Sequence, residues 1–348
     1  MALFGALMLL GALTLFGCSD AEQINARFAS SQASWYRFSA HQLQKVFSPQ
    51  APWDGYWVPY EAAYRVTDLY SDGETAYAAA TGAGLVKASD PEGIPRVEEC
   101  SSSRNLSTLR TGLVFPFESR VFVTLYHEPH AFVKAGLPIT LAWLDSQAQL
   151  IFYPVPYQAT HPEAQAVRAS WDASQGVLHL VWKEWQTDHW TWTQSALALK
   201  DGHEFGFQSG WPASSDPQPL PEAWHRLWVQ LAQREPALGS TALIRLAGQV
   251  TQTYRWSPSQ GSAVQPGTVS ATAWPDGSRL AVTEAGLLAF DSPRFGFRIY
   301  HLFPLGSAGR YTGAVALKHG VLISWDTFYR SYVGPAGLLY LPLSRFQP

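Results

Sequence analysis

The feature that most constrains the fold is a repeated pattern of short strands separated by glycine turns. Its two clearest copies, residues 66–88 and 271–291, each read as strand, hairpin, strand, glycine, strand. The hairpins carry Asp72-Gly73 and Asp276-Gly277, and in tight hairpins both residues of such a pair favour positive φ. Looser copies occupy residues 113–152, 169–182, 242–256 and 312–341.

The spacing of these copies predicts the architecture. A period of about 40–50 residues with about four short strands in each unit is typical of a β-propeller. The turn glycines Gly73, Gly176 and Gly277 lie about two such periods apart. We therefore expect an all-β chain folded as a β-propeller of six or seven blades. Two β-sandwich domains are the alternative, because aromatic-rich β chains of this length also form sandwiches.

The composition agrees with an all-β fold and excludes two other classes. Hydrophobic residues make up 47% of the 348 residues and charged residues only 15%, which excludes disorder for most of the chain. The 15 Trp, 15 Tyr, 18 Phe, 27 Gly and 24 Pro residues favour strands and tight turns. The net charge is −3 and there is no basic block, so we expect no nucleic acid among the partners.

One segment departs from the strand pattern. Residues 221–232 place Trp224, Leu227, Trp228 and Leu231 at helical spacing. Proline in the first turn, with an acidic residue beside it, suits the start of a helix. We expect a short helix inserted between two blades.

The N-terminus begins with a charge-free apolar run. Residues 2–17 are too few to cross a bilayer, which takes about 20 residues, but they fit the apolar core of a secretory signal. The run ends at Leu15-Phe16-Gly17-Cys18, and polar residues follow at once. This motif resembles the lipobox of bacterial lipoproteins, with Leu three positions before the cysteine and a small residue directly before it. Phe16 is bulkier than the residue usual at its position, and no Lys or Arg precedes the run.

The lipobox resemblance implies a domain organisation and a location. It makes residues 1–17 a signal peptide, residues 18–50 a lipidated cysteine with a polar tether, and residues 51–348 the β-propeller. The Cys18 thiol would take a diacylglycerol, and its freed amine a further acyl chain such as palmitate. Two or three chains give stable anchoring. The protein would then lie in the bacterial cell envelope, anchored to the inner or outer membrane and facing the periplasm or the cell surface.

The body carries a second resemblance. Residues 84–93, with Gly84, Ala88 and Asp90 at matching positions, resemble the repeat strand of bacterial propeller lipoproteins and of quinone-dehydrogenase-type propellers. Residues 286–296 match the same repeat less evenly, and its closing tryptophan is replaced in both copies. The resemblance implies the propeller fold, and a fold does not by itself imply a function.

The densest aromatic patch is residues 182–192, with four tryptophans in eleven residues. On a strand, Trp190 and Trp192 share a face, as do His189 and Thr191. Indole rings stack on the apolar faces of sugars, while neighbouring polar groups, here Glu184, Asp188 and His189, can take their hydrogen bonds. The candidate ligand surface is therefore formed by Trp182, Trp185, His189, Trp190 and Trp192. The alternative is that these rings fill the space between blades.

Other chemistry-bearing residues select no catalytic or metal site. His127 and His130 are three residues apart with a proline between them, unlike the helical zinc pair. We expect no metal and no cofactor. Acidic residues near predicted strand ends form no obvious pair for glycoside chemistry: Asp145, Asp172, Glu184, Glu284, Asp291 and Asp326. With Cys18 lipidated, Cys100 has no disulfide partner, and we expect it to be a half-buried small residue.

These observations predict a lipid-anchored envelope protein that acts by binding. Beyond the membrane, the expected partner is a carbohydrate or an envelope protein, so the propeller would serve as a ligand-binding module or a scaffold. The alternative is a glycan-active hydrolase or lyase on the same fold.

Overall fold

The structure is a computed structural model that describes most of the chain from residue 33 onward. The described residues are 33–39, 42–46, 66–80, 84–100, 109–117, 120–127, 138–144, 149–158, 165–172, 177–186, 189–200, 204–212, 218–219, 221–235, 242–246, 252–256, 268–302, 305, 309–329 and 332–346.

Twenty-four strands account for most of these residues. In chain order they are β1 (Ser34–Ser39), β2 (Gln42–Val46), β3 (Val66–Ser71), β4 (Thr75–Ala80), β5 (Gly84–Ser89), β6 (Arg96–Glu99), β7 (Leu109–Phe117), β8 (Arg120–His127), β9 (Pro138–Leu144), β10 (Leu150–Gln158), β11 (Gln165–Asp172), β12 (Val177–Gln186), β13 (His189–Lys200), β14 (Glu204–Pro212), β15 (Gln218–Pro219), β16 (Ala242–Leu246), β17 (Gln252–Trp256), β18 (Thr268–Ala273), β19 (Arg279–Thr283), β20 (Leu287–Ser292), β21 (Gly296–His301), β22 (Gly309–Ala316), β23 (Gly320–Tyr329) and β24 (Tyr332–Pro342).

The described strands form five sheets that make up six blades. Three sheets have four strands each and are blades I (β3–β6), II (β7–β10) and III (β11–β14). A seven-stranded sheet comprises blade IV (β15–β17) and blade V (β18–β21), joined where β16 pairs with β18 in parallel. Blade VI contains β22–β24 together with β1 and β2. The predicted β-propeller is confirmed, and the six sequence copies correspond to the six blades.

The first strands of the blades lie next to one another in the ring. Each of these strands contacts the next in the order β16, β18, β22, β3, β7 and β11. Hydrogen bonds join matching ends of these strands: the Oγ1 atoms of Thr67 and Thr111, near the starts of β3 and β7, lie 2.9 Å apart. Near the ends of β3 and β22, the Ser71 hydroxyl donates to the Ala316 carbonyl at 2.6 Å. We call the end of the ring where these innermost strands begin the upper rim, and the other end the lower rim.

Blade VI closes the ring by pairing strands from the two ends of the chain. β1 pairs antiparallel with β24, with Ser34 opposite Tyr340 and Arg37 opposite Gly337, and β2 adds an edge strand beyond β1. These strands lie before residue 51, inside the segment 18–50 that we assigned to a tether. The propeller therefore takes in chain from residue 34 onward.

Alternation along the strands places apolar side chains on both faces of a blade. In β23, Val321, Ile323 and Trp325 join a cluster shared with blade V, whereas Leu322 joins one shared with blade I. Because both faces are covered, such strands read as continuous apolar runs rather than as alternating ones. A further cluster joins blades I and II and includes Cys100.

The helix predicted between blades is present. α1 (His225–Arg234) follows a 3₁₀ turn at Glu222–Trp224. Its apolar face packs on the face of blade V that is turned away from blade VI, and the contacting residues are Trp224, Leu227, Trp228 and Leu231 on the helical segment with Val269, Ala271, Ala281, Leu287 and Ala289 on the sheet. Among the described residues, no helix has the length and apolar character that a bilayer crossing needs.

The two Asp-Gly turns occupy equivalent places, as the sequence predicts. Asp72-Gly73 joins β3 to β4 and Asp276-Gly277 precedes β19, so each links the first and second strands of its blade at the lower rim. The expectation of positive φ at both residues is wrong, because only Gly73 (98°) and Gly277 (85°) adopt it.

The aspartates act through their carboxylates instead. Asp72 Oδ1 accepts the backbone N–H of Thr75 at 2.7 Å, and Asp276 Oδ1 accepts that of Ser278 at 2.8 Å. Such local acceptance by a short polar side chain is a common way for aspartate to stabilise a turn.

A buried carboxylate ties blade I to blade VI. Asp90, which follows β5, is 2% exposed, and its Oδ2 accepts the backbone N–H of His319 at 2.8 Å and the Tyr340 hydroxyl at 3.1 Å. Burial raises the pKa of Asp90 above its usual value, although the hydrogen bonds from His319 and Tyr340 act in the opposite direction.

The ring closure predicts a severe effect of Gly337→Ala. A Cβ at Gly337 would run into the Tyr36 carbonyl oxygen on β1 and lie 2.6 Å from Cζ2 of Trp325. We expect the free energy of unfolding to fall by more than the roughly 0.5–3 kcal/mol of an ordinary substitution. Urea unfolding measures this value.

Gly73→Ala is the control, because Gly73 lies in the turn between β3 and β4 and has no atom within 4 Å of its added Cβ. Only the cost of positive φ, about 1–2 kcal/mol, is expected there. Equal losses in the two variants would contradict the role of Gly337 in closure.

Asp90 predicts a pH dependence of stability. Since its pKa is raised on folding, the folded chain holds the proton more tightly than the unfolded chain, and raising the pH through the folded pKa lowers the free energy of unfolding. Asp90→Asn removes this pH dependence. We expect the free energy of unfolding of the variant to rise relative to that of the wild type as the pH increases from about 4, the ordinary pKa of aspartate. Above the folded pKa, the difference between the two proteins should become constant.

Urea unfolding at a series of pH values gives that difference. Glu74→Gln, which removes an exposed carboxylate, is the control. A difference between Asp90→Asn and wild type that does not change with pH would refute the assignment.

Candidate functional site

The tryptophan-rich segment forms a hairpin that is longer than its neighbours in blade III. β11 pairs with β12 only as far as Lys183, and β14 pairs with β13 only from Thr193 onward. Residues 184–186 and 189–191 therefore pair with each other beyond the ends of both flanking strands, and Trp192, opposite Lys183, lies beyond the end of β14 only. We call these seven residues the tryptophan ribbon. It extends from blade III at the upper rim, because β12 ends where β11 begins.

The strand register assigns the ribbon positions to two faces. Trp185 is directly opposite Trp190, and Trp192 is opposite Lys183, so positions 185, 190 and 192 share one face. The other face holds position 189, opposite 186, and position 184, opposite 191. The three tryptophan positions are thus grouped, and the polar positions 184 and 189 lie behind them rather than beside them.

Position 182 differs from the other candidates. Trp182 pairs with both Ala166 and Thr193, so it lies within the four-stranded part of the blade and on the face of position 184. The side chains of all five candidate residues lie outside the described part of the structure. Their assignment to a ligand remains a prediction.

A second hairpin extends at the same rim. In blade VI, β22 starts at Gly309 opposite Thr327, whereas β23 and β24 continue to pair beyond it, with Tyr329 opposite Tyr332. The upper rim therefore carries two extended hairpins with aromatic positions, one in blade III and one in blade VI.

An ion pair lies at the upper end of blade VI. Arg310 Nε and Asp326 Oδ1 are 2.8 Å apart, and Arg310 Nη2 is 3.3 Å from Oδ2, so the guanidinium binds both carboxylate oxygens. The Asp326 side chain is only 2% exposed and that of Arg310 34%. Burial lowers the pKa of Arg310, but the hydrogen bond and charge of Asp326 outweigh it and raise that pKa. The guanidinium thus holds both oxygens of the Asp326 carboxylate, so this aspartate is engaged in a structural ion pair rather than open to a substrate.

The other acidic candidates are distributed around the ring. Asp291 Oδ1 lies 3.4 Å from Arg226 Nη1 on α1, and Glu284 is half-buried in the β19–β20 turn of blade V. Asp145 and the side chains of Asp172 and Glu184 lie outside the described residues. The structure brings no two of the described acids together in an arrangement that selects them for glycoside cleavage.

Cys100 is more deeply placed than expected. It is 4% exposed, and its backbone N–H donates to the Leu85 carbonyl at 2.9 Å. Burial raises the pKa of the Cys100 thiol to about 12, so it remains protonated and weakly nucleophilic near neutral pH. The expected small structural residue is confirmed, but it is buried rather than half-buried.

The remaining predicted positions add no described site. Cys18 and His130 lie outside the described residues, and His127 ends β8. Among the residues that the structure describes, no group of three or more His, Cys, Asp or Glu side chains could hold a metal ion.

Sequence reasoning missed two features of the upper rim. The extension of the hairpin depends on where β11 and β14 stop pairing, which no local pattern reveals. Arg310 and Asp326 are sixteen residues apart and meet only because they are opposite each other on β22 and β23. The predicted copy began at residue 312, so it left out Arg310 and could not place it opposite Asp326.

Comparisons with known proteins are limited to overall shape. The chain is similar to the WD40 β-propeller domain of Doa1, with 8% identity and a TM-score of 0.28, over 83% of this chain and 96% of that one. It is also similar to a luciferin-regenerating enzyme, with 7% identity and a TM-score of 0.27, over 82% of this chain and 93% of that one. No family model matches the sequence, and no curated protein matches it.

Proposed function

We propose that the protein is a lipid-anchored propeller of the bacterial envelope that binds a carbohydrate through the tryptophan ribbon. The observation that carries the proposal is the grouping of positions 185, 190 and 192 on one face of a two-stranded extension. These positions lie outside the four-stranded part of blade III among the described residues, so we assign them to ligand contact rather than to the core. Three indoles on one face offer a flat platform of the kind that sugar rings stack on, and a polar reverse face suits contact with water.

The anchoring part of the proposal depends on the N-terminal sequence. Cys18 follows the apolar run directly, and the first strand of the propeller begins at Ser34. The fifteen residues from 19 to 33 include Ser, Ala, Asn, Gln and charged residues, a composition suited to a solvated tether.

Binding by an envelope protein instead of a glycan would use the same platform. We favour the glycan because three grouped tryptophans match the stacking of successive sugar rings, and an array that carries both oligosaccharides and peptides separates the two. Cleavage of the glycan would need two converging carboxylates about 5–10 Å apart. The proposal therefore assigns binding to the ribbon and no catalytic residue.

The ribbon predicts that Trp190→Ala and Trp192→Ala separate binding from stability. We expect both variants to keep nearly the wild-type melting temperature, because the ribbon lies beyond the four-stranded part of the blade. Retention on immobilised oligosaccharides should be lost. Calorimetry and a glycan array measure the two properties.

Phe122→Ala is the packing control, since Phe122 is 1% exposed in blade II, and truncation there should cost about 3–5 kcal/mol. If the two tryptophan variants lose as much stability as this control and the wild type retains no glycan or peptide, the rings are core residues and the proposed site is wrong.

The anchor predicts that Cys18 carries the lipid. In cells labelled with an alkyne analogue of palmitate, the wild-type chain should be labelled and Cys18→Ala should not, because only the thiol takes the thioether-linked diacylglycerol. Cys100→Ala is the matched control and should be labelled like the wild type. Equal labelling of wild type and Cys18→Ala would disprove lipidation at this residue.

A further inference from the structure

We infer that the tryptophan ribbon and the lipid anchor lie at opposite ends of the propeller, so that the ribbon binds a saccharide chain that is not part of the anchoring bilayer. This inference depends on the proposed lipid anchor and on the proposed ribbon site, and it adds the direction in which that site faces.

The first step is the end at which the chain enters the ring. β1 begins at Ser34, which is opposite Tyr340 on β24, and Tyr340 is opposite Leu322 on β23. Leu322 in turn is opposite Val315, near the end of β22. Since the innermost strands end at the lower rim, Ser34 lies at the lower rim and the chain enters β1 there.

The second step is the end at which the ribbon lies. Asp172 at the end of β11 is opposite Val177 at the start of β12, whereas Gln165 at the start of β11 is opposite Lys183. The chain of β12 therefore runs toward the upper rim, and the ribbon continues past it. The entry of the chain and the ribbon are on opposite rims.

The third step compares two lengths. β13 has 12 residues and spans the blade from the ribbon to the lower rim, roughly 40 Å at about 3.3 Å per residue. A random coil of fifteen residues, the number from 19 to 33, has a typical end-to-end distance of only about 20 Å. A bilayer held at Cys18 is therefore nearer to the lower rim than to the ribbon in most positions of the tethered propeller.

The consequence concerns the chemistry of the ligand. A headgroup of the anchoring bilayer lies at the wrong end for the ribbon. A polysaccharide that reaches past the propeller from outside that bilayer can lie along positions 185, 190 and 192 without bending the tether. The same placement leaves the turns at Asp72-Gly73 and Asp276-Gly277 nearest to the membrane.

Distance-dependent quenching tests the orientation. The natively lipidated full chain is added to the outer leaflet of preformed phosphatidylcholine vesicles that contain a lipid with a quencher on its headgroup. Single cysteines are labelled with a maleimide dye at two lower-rim positions, Glu74→Cys and Lys318→Cys, and two upper-rim positions, Gln186→Cys and Ala285→Cys. Cys18 is then a thioether, and Cys100 is buried, so the dye reports the engineered site.

We expect quenching at both lower-rim positions to exceed that at both upper-rim positions by about twofold or more, given the lengths of the blade and the tether. Ala285→Cys matters because it lies at the upper rim but outside the ribbon. If a ribbon variant folds poorly, this second upper-rim position still decides the result. Equal quenching at the two rims, or stronger quenching at the upper rim, overturns the orientation.

Flotation of the vesicles separates this result from a failure of the proposed function. A chain that floats with the vesicles but shows the wrong quenching pattern keeps its anchor and loses only the orientation. A chain that does not float has no lipid anchor, and the inference falls with that proposal. Capture of soluble oligosaccharides by the vesicle-bound chain should equal that by the free chain, whereas loss of capture on vesicles would place the ribbon against the bilayer.

Discussion

The pairing of β1 with β24 holds the ring together. It joins residues roughly 300 positions apart, and closing a loop of that length costs about 5 kcal/mol of chain entropy. Three aromatic side chains on β1, Trp35, Tyr36 and Phe38, become at least 94% buried in return. At roughly 1.5–3 kcal/mol for each large apolar side chain, their burial is enough to offset the closure. Trp35 belongs to the apolar cluster shared with blade V, whereas Tyr36 and Phe38 belong to the cluster shared with blade I. A single strand therefore contributes to the packing on both sides of blade VI.

Close contact at this seam depends on small and polar groups at defined places. Gly337 lets the β1 backbone approach β24 and the Trp325 ring. Asp90 reaches from blade I to the turn of blade VI and to the Tyr340 hydroxyl, so the closing blade is held on the side where the next blade begins. A buried donor that loses such an acceptor lowers the free energy of unfolding by about 1–3 kcal/mol. The two hydrogen bonds that Asp90 accepts therefore offset the cost of removing its carboxylate from water.

Much of the fold could be predicted from local pattern, because the blades repeat a similar succession of short strands and turns. Asp72-Gly73 and Asp276-Gly277 mark the same turn in two blades, and the helical spacing of Leu227 and Leu231 marks the inserted helix. β1 could not be found this way, since it supplies a strand to a blade whose other strands lie at the far end of the chain. The aromatic cluster at residues 35–38 was the available signal, as a solvated tether has no use for it.

The candidate site was predicted less completely, for a related reason. Alternation places Trp190 and Trp192 on one face, but whether they lie in the four-stranded part of the blade depends on where β11 and β14 stop pairing. The register shows that the hairpin outruns both and that position 182 belongs to the sheet rather than to the ribbon. Arg310 and Asp326 illustrate the same limit, because a contact between strands is set by register and not by distance along the sequence.

The direction in which β1 enters blade VI also determines how the propeller responds to force. A pull on residue 33 away from the lower rim acts along β1, whereas the hydrogen bonds that hold β1 between β2 and β24 are perpendicular to the strands. Such a load is shared by all of these bonds at once, and the strand must slide as a unit before it separates. A pull from the opposite direction would peel the bonds one at a time. The seam that closes the ring is thus loaded in shear, its mechanically stronger direction, when the chain is held by its N-terminus.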